Sequence, residues 1–319
     1  MPAISASASG KIILFGEHAV VYGRPAIAAP VEQVRARVVV TAEPRRRLGS
    51  VLIQTPDLGG QAYLDELPQD DPLGLAMRLT LEHLGVSRPP ACTLWVSSTI
   101  PIAAGLGSGA AISVALCRAF AEFLGAELPA ETVSDLAFEV DRIHHGTPSG
   151  IDNTVIAYAQ PIFFVRGQPI QLLQPASQFT LIIGDTGVRS PTAAAVGDLR
   201  KAWQADPERY EPLFDAAAEI AIRARGWIES GQVQRLGALM DENHVLLCEM
   251  GVSSAELDRL VEAARAAGAW GAKLSGGGRG GNMLALAPPE RTAAIAESLR
   301  QHGATRTITT TVRAHKPPQ

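Results

Sequence analysis

The chain has 319 residues, 46% hydrophobic, 19% charged and 5% aromatic, with 28 Lys and Arg against 32 Asp and Glu for a net charge of −4. That length exceeds what one core usually reaches, so two domains are expected, and the composition excludes disorder and low complexity. The mild acidity leaves no basic footprint for nucleic acid, and no stretch approaches the roughly 20 apolar residues of a membrane span. The N-terminus lacks a charged region followed by a long apolar run, so a cytoplasmic protein is the default expectation. Cys92, Cys117 and Cys248 lie in apolar segments without metal-ligand spacing, which reads as buried thiols in a reducing compartment.

In chain order, Ala3 to Ser9 alternates small and polar residues and breaks at Gly10. Gly10 to Gly23 is an apolar run, Gly10-Lys11-Ile12-Ile13-Leu14-Phe15-Gly16-Glu17-His18-Ala19-Val20-Val21-Tyr22-Gly23, interrupted by Lys11, Glu17 and His18. Burying three such groups unpaired is costly, so a site is one use for them. The plainer alternative is a strand with Lys11 snorkelling from one end and His18 paired to backbone. Ala26 to Val40 and Ser50 to Thr55 read as strands, with Pro44 to Arg47 as an exposed hairpin tip. Asp70 to Leu84 reads as a helix, and Cys92 to Ser98 as a strand.

That strand leads into Ile100-Pro101-Ile102-Ala103-Ala104-Gly105-Leu106-Gly107-Ser108-Gly109-Ala110-Ala111, and Ile112 to Leu124 then carries helical spacing. A strand, a glycine turn and a helix start suit an anion. Glycines let the backbone approach a ligand, and the first helical turn offers unpaired N–H groups at the positive end of its dipole. The pattern is neither a Walker loop nor a dinucleotide fingerprint, and a tight turn backed by a small-residue helix explains it equally well.

Pro129 to His145 forms a helix with Val133, Leu136, Ala137, Val140 and Ile143 as its apolar stripe and Asp141 beside that stripe. The loop His145-Gly146-Thr147-Pro148-Ser149-Gly150-Ile151-Asp152-Asn153 then presents Asp152 ahead of an apolar run. An aspartate there could cap the next helix or serve as a general base to a hydroxyl. Strands at Ile162 to Arg166 and Ile170 to Leu173 close the first half, and Gln174 to Ser177 is the linker candidate. The second half opens with a strand at Phe179 to Gly184. Helices follow at Thr192 to Gln204, Arg209 to Ser230, Val233 to Glu249 and Ser254 to Ala267. Next come the strand-like Ala272-Lys273-Leu274, the run Ser275-Gly276-Gly277-Gly278-Arg279-Gly280-Gly281, a strand at Asn282 to Ala287, a helix at Pro289 to His302 and a strand at Thr305 to Val312. This order suits an α+β sandwich.

Three glycine-bearing motifs in this order, with Lys11 first, resemble the GHMP kinases, a family of small-molecule kinases. The first two motifs look most like those of its mevalonate kinases. The resemblance implies an N-terminal α/β domain similar to ribosomal protein S5 over residues 1–174 and a ferredoxin-like α+β domain over 175–319. It implies ATP and Mg²⁺ as cofactors, mevalonate as the small-molecule partner, isoprenoid precursors as the destination of the product, and a homodimer. Asp152 would accept or orient the C5 hydroxyl proton, and Lys11 would stabilise it and the transferred phosphoryl group. Pro101, Ala104, Gly105, Leu106, Gly107, Ser108, Gly109 and Ala110 would hold ATP. Glu17, His18, Arg166, Ser275 and Gly276 would lie at the substrate, with Arg166 at its carboxylate. Ser108 and Asp141 would hold Mg²⁺.

Three departures stand out: Gly109 replaces a serine, Asp141 a glutamate and Arg279 a glycine of the family pattern. A kinase acting on another alcohol (the 3-hydroxyl of mevalonate, phosphomevalonate or a sugar) and a silent ligand-binding relative are the competing expectations.

Overall fold

The computed structural model of the protein describes residues 3–101, 105–145, 148–189 and 192–315. Its chain gathers into two compact units, one of Met1–Lys11, Val34–Pro101 and Gly107–Ala159, the other of Ile12–Gln33, Ile102–Leu106 and Gln160–Gln319. Two long strands, β1 (Ile4–Phe15) and β2 (Ala26–Ala42), pass from one unit into the other. Gly10 does not break β1, which turns from half-buried to fully buried near that residue.

The first unit continues with β3 (Val51–Thr55), β4 (Gly60–Tyr63), α1 (Pro72–His83), β5 (Cys92–Ser98), α2 (Ser108–Phe123), α3 (Ala130–His145) and α4 (Ile151–Tyr158). Strand β5 is central: β2 pairs with it antiparallel, Ala36 opposite Ser98, and β3 parallel, Val51 opposite Cys92. Pro44 to Arg47 is exposed as expected but is not a hairpin tip, because β5 lies between β2 and β3. Parallel pairing needs a crossover, and the chain from β3 through β4 and α1 supplies it. Helix α1 starts where Asp71 accepts from Gly74 N at 2.8 Å and Pro72 fills the first turn.

Helix α2 is rich in alanine and buries Val114, Leu116, Cys117 and Phe120 against α1, α3 and α4. The stripe of α3 is buried at Val133, Ala137 and Val140, whereas Ile143 is exposed near the helix end. Asn153 Nδ2 donates to Ser134 O and Oγ at 3.0 and 2.9 Å, which fixes the start of α4 against α3.

The second unit holds β6 (Ile162–Phe164), β7 (Gln171–Leu172), β8 (Phe179–Asp185), α5 (Thr192–Ala205), α6 (Pro207–Glu229), α7 (Leu236–Glu249), α8 (Ala255–Ala266), β9 (Gly271–Ser275), β10 (Asn282–Ala287), α9 (Thr292–Gln301) and β11 (Arg306–Val312). The first residues of β2 pair with β6, and β6 pairs with β7. Four antiparallel strands form a separate sheet in the order β11-β8-β10-β9.

Helices α7 and α8 pack on β9, and α9 on β8 and β11. Strand β10 is buried along its whole length. The core includes Phe214, Leu247, Val252, Leu260, Leu274 and Met283, each side chain contributing about 1.5–3 kcal/mol by burial. A Cβ on Gly237 would stand 2.1 Å from Trp270 O and one on Gly271 2.0 Å from Gly237 O. Only glycines let α7 and β9 approach this closely. Within Gln174 to Ser177, Ala176 N donates to Ile228 O at 3.1 Å and Pro175 O accepts from His315 N at 2.7 Å, so the segment is tied down on both sides.

Candidate active site

In the first unit, Lys11 Nζ and Asp152 Oδ1 lie 3.0 Å apart, the side chains 6% and 33% exposed. Lys11 does not snorkel, because a carboxylate waits for it inside. Asp152 does not cap α4: Gly150, at φ 88°, takes that position and Asp152 stands in the first turn, where the helix dipole favours a negative charge. The lysine stem runs under the glycine turn. A Cβ on Gly107 would meet Lys11 Cγ at 2.8 Å and Ile156 Cδ1 at 3.0 Å, and φ there is 74°, so both space and backbone call for glycine.

Gly107 caps α2, and the N–H groups that follow it open the helix. Among the described residues, a Cβ on Gly109 would meet nothing within 4 Å, nor would one on Gly105, at φ 73°. Backbone and open space there suit an anionic ligand. Leu106 is buried and anchors the turn, Pro101 and Ser108 are half-buried, and Ala110 is buried. Ala104 lies outside the described residues, as do Gly146 and Thr147 of the aspartate loop.

For a divalent cation, the Ser108 hydroxyl and the half-buried Asp141 carboxylate stand on the packed helices α2 and α3. They are hard oxygen donors of the kind Mg²⁺ takes alongside water. Two hard oxygen donors on adjoining helices make a donor set whose chemistry fits Mg²⁺.

The second unit assembles another group. Gly16, at φ 88°, is fixed by Pro25 O, 2.4 Å from where its Cβ would be. Glu17 and His18 follow, and both are buried. Glu17 Oε1 is ion-paired with Lys273 of β9, neither side chain exposed at all, and Lys273 also donates to Leu274 O at 2.7 Å. Burial pushes the Lys273 ammonium down in pKa, and Glu17 opposes that.

His18 sits at φ 60° with its Nε2 3.1 Å from Gly277 O. A carbonyl only accepts, so Nε2 carries the proton and Nδ1 is a buried acceptor with no hydrogen-bond partner among the described residues. Burial brings the His18 pKa down to about 4, with Arg279 and Lys273 adding to the effect. Ser275 Oγ donates to Ile13 O at 2.8 Å. Gly276, at φ 87°, would have nothing within 4 Å of a Cβ. Thus Glu17, His18 and Ser275 are tied by hydrogen bonds to β9, β1 and the glycine run in which Gly276 lies.

Arg166 is exposed in the turn between β6 and β7. Arg279 takes a left-handed φ of 57° and donates from Nη1 to Asp198 Oδ2 at 2.6 Å. A non-glycine residue there costs about 1 kcal/mol.

Sequence reasoning missed Lys273. The signal was the one that singled out Lys11: a lysine inside an apolar strand beside a glycine run. Cys248 also departs from expectation, being exposed. It gathers with His244 and Asp258, the one grouping of three possible cation ligands among the described residues. Leu274 N donates to His244 Nδ1 at 3.3 Å, which leaves the proton on Nε2, facing Asp258 Oδ1 at 3.3 Å. That tautomer makes the trio a hydrogen-bonded cluster and withholds its imidazole from a cation. No helix among the described residues is long and apolar enough to cross a membrane.

Comparison with known proteins bears on these groups. Residues 72–160 match the family described as GHMP kinases N terminal domain, and residues 220–305 match GHMP kinases C terminal. The chain is 36% identical to mevalonate kinase of Pyrococcus furiosus, over 96% of this chain and 95% of that relative. The crystal structure of L. major mevalonate kinase in complex with R-mevalonate is similar, with a TM-score of 0.84 and 32% identity, covering 98% of this chain and 97% of that one. The structure of Methanococcus jannaschii mevalonate kinase shares the fold, with a TM-score of 0.85 at 24% identity over 99% of each chain.

Proposed function

The chain belongs to the GHMP kinases, and on that premise we propose that it transfers the γ-phosphoryl group of ATP to the C5 hydroxyl of (R)-mevalonate, giving 5-phosphomevalonate and ADP for isoprenoid precursor synthesis. The relatives at 36% identity over nearly the whole chain, and a solved relative bound to R-mevalonate, support the substrate. The observation that carries the chemistry is the Lys11–Asp152 pair at 3.0 Å, with Asp152 a third exposed.

Phosphoryl transfer asks for positioning and charge neutralisation more than for covalent help. Asp152 accepts the hydroxyl proton as the oxygen attacks the γ-phosphorus and ADP departs. Lys11, fixed by the turn at Gly107, orients that carboxylate and offsets negative charge on the transferred group. The N–H groups of Ser108, Gly109 and Ala110 at the start of α2, with Gly105 before them, receive the nucleotide phosphates. Ser108 and Asp141 would hold Mg²⁺ together with water, and the ion would supply further charge neutralisation when bound.

His18, through its Nδ1, and Ser275 and Gly276 serve the substrate, while Glu17, sealed in its pair with Lys273, holds that segment in place instead of reaching the substrate. Assigning Arg166 to the substrate carboxylate rests on the sequence resemblance. We further propose a division into nucleotide- and substrate-binding residues 1–174 and a second domain of 175–319, and a homodimer. ADP release by the purified protein with Mg-ATP and (R)-mevalonate, galactose, homoserine or phosphomevalonate, run beside Asp152→Asn, tests this reading. Mevalonate-dependent turnover lost in the variant supports it; turnover on another alcohol alone refutes the substrate.

A further inference from the structure

The third glycine motif holds a residue that the fold does not require. Gly278, Arg279 and Gly280 follow one another at φ 74°, 57° and 131°. The loop is clamped on both flanks, with Arg279 N donating to Val252 O at 2.8 Å and Gly281 N to Val188 O at 2.9 Å. A Cβ on Gly278 or Gly280 would stand 1.9 or 2.6 Å from those same carbonyls. The backbone at Arg279 therefore cannot relax out of the left-handed region, where glycine would be free of strain. Its side chain does not offset that strain. The guanidinium meets Asp198 of α5 with the two side chains 39% and 50% exposed, and a pair so open to water contributes little stability. Strain kept without a structural return points to function.

Electrostatics give the direction. The cations that bear on His18 are Arg279 and Lys273, and Lys273 is matched by the sealed carboxylate of Glu17. His18 itself is neutral at pH 7. Of the two cations acting on His18, Arg279 is therefore the one whose charge is not sealed; its partner Asp198 also lies 3.9 Å from the exposed Lys201, so that carboxylate keeps a counter-charge when the guanidinium leaves it. The group it holds, Asp198, is an exposed carboxylate on another element, whose pKa the guanidinium lowers, and water can replace it at low cost. A guanidinium fork binds carboxylate and phosphate oxygens alike.

We propose that Arg279 is a substrate-binding residue: in the loaded enzyme its guanidinium leaves Asp198 and takes an anionic oxygen of a bound substrate, carboxylate or phosphate. This rests on the kinase reading above and adds to it a residue at which the chain departs from its family's pattern.

The test measures Kd by calorimetry and KM by turnover, separately for ATP and for mevalonate, on the full chain with R279Q, R279G and D198N. Losing the guanidinium is expected to weaken one substrate about 10-fold, while D198N, which removes the competitor, tightens the same substrate about threefold. A shift confined to ATP identifies the phosphate as the anion, and one confined to mevalonate the carboxylate. If D198N weakens binding together with R279Q, or if neither variant moves either constant, the pair is structural and the proposal fails. Melting gives a second check: R279G should melt at or above the wild-type temperature, and a fall of several degrees overturns the argument from strain. Wild-type turnover of mevalonate with same-sign shifts sinks the role of Arg279 alone, whereas a wild-type chain that turns over no mevalonate sinks the reading beneath it as well.

Discussion

Lys11 with Asp152 and Lys273 with Glu17 are both lysine–carboxylate pairs that join a strand to a segment next to a glycine. Asp152 keeps a third of its side chain exposed, whereas Glu17 and Lys273 keep none. A carboxylate that still meets water can exchange partners, so the first pair can receive a hydroxyl and give up part of its contact to it. A pair sealed from water has no solvent to turn to, and separating it removes a counter-charge in a medium of low dielectric. The second pair therefore acts as a clasp, holding Glu17 and His18 against β9 and the glycine run behind it. Identical chemistry is given two uses by exposure alone.

The sharpest way to break that contrast is Asp152→Asn, which should lower kcat by about 10²–10⁴-fold while leaving the melting temperature close to wild type. Retention of a tenth of the activity would remove Asp152 from the mechanism.

The mirror experiment is Lys273→Met, expected to cost about 3–5 kcal/mol in urea unfolding because Glu17 loses its buried counter-charge. Lys11→Met, whose partner can turn to water, should cost about 1 kcal/mol and act on kcat instead. A Glu17→Gln/Lys273→Met double variant should recover much of the lost stability. Equal unfolding costs for the two lysine variants would dissolve the distinction.

His18 adds a pH arm. Its pKa falls from 6.5 to about 4 on folding, so the unfolded chain binds the proton first as pH drops. Its contribution is fully present above about pH 6.5 and is lost progressively down to about pH 4, roughly 3 kcal/mol in all. His244, also lowered to about 4 by burial, contributes in the same window. Denaturant midpoints of His18→Gln from pH 7 to 4 should show about half the wild-type decline; an unchanged slope would mean that His18 is not held neutral.

The smallest effects separate two glycines of one turn. Gly107→Ala meets both strain and the Lys11 stem and should destabilise by about 1–2 kcal/mol. Gly109→Ala, in open space at a helix start, should leave stability unchanged or raise it by up to about 1 kcal/mol. Matching losses at both positions would refute the packing of Lys11 under the turn.

Much of this molecule can be read from local pattern. The strand at Cys92–Ser98 and the strand at Asn282–Ala287 have the expected limits, and the helices fall within a few residues of theirs, because periodicity and capping are properties of neighbours in the chain. Pairing is a different matter. Nothing near Pro44 to Arg47 says that β5 will insert between β2 and β3, and nothing near Ile143 says that the stripe of α3 is covered only as far as Val140. Cys248 sits in an apolar segment and is exposed all the same, because one face of α7 is left uncovered there.

What the sequence by itself determined was the set of groups that an apolar run could not bury alone: Lys11, Glu17, His18 and Asp152, together with the glycine turns that let backbone approach a ligand. Desolvation is costly wherever the chain places such a group, so each one announces a need for a partner. What only the tertiary structure decided was which partner each one found. Lys11 met Asp152, 141 residues away by number, Glu17 met Lys273, and His18 met Gly277. The energy of an ion pair depends on distance in space and on the water excluded around it, and neither quantity is written along the chain.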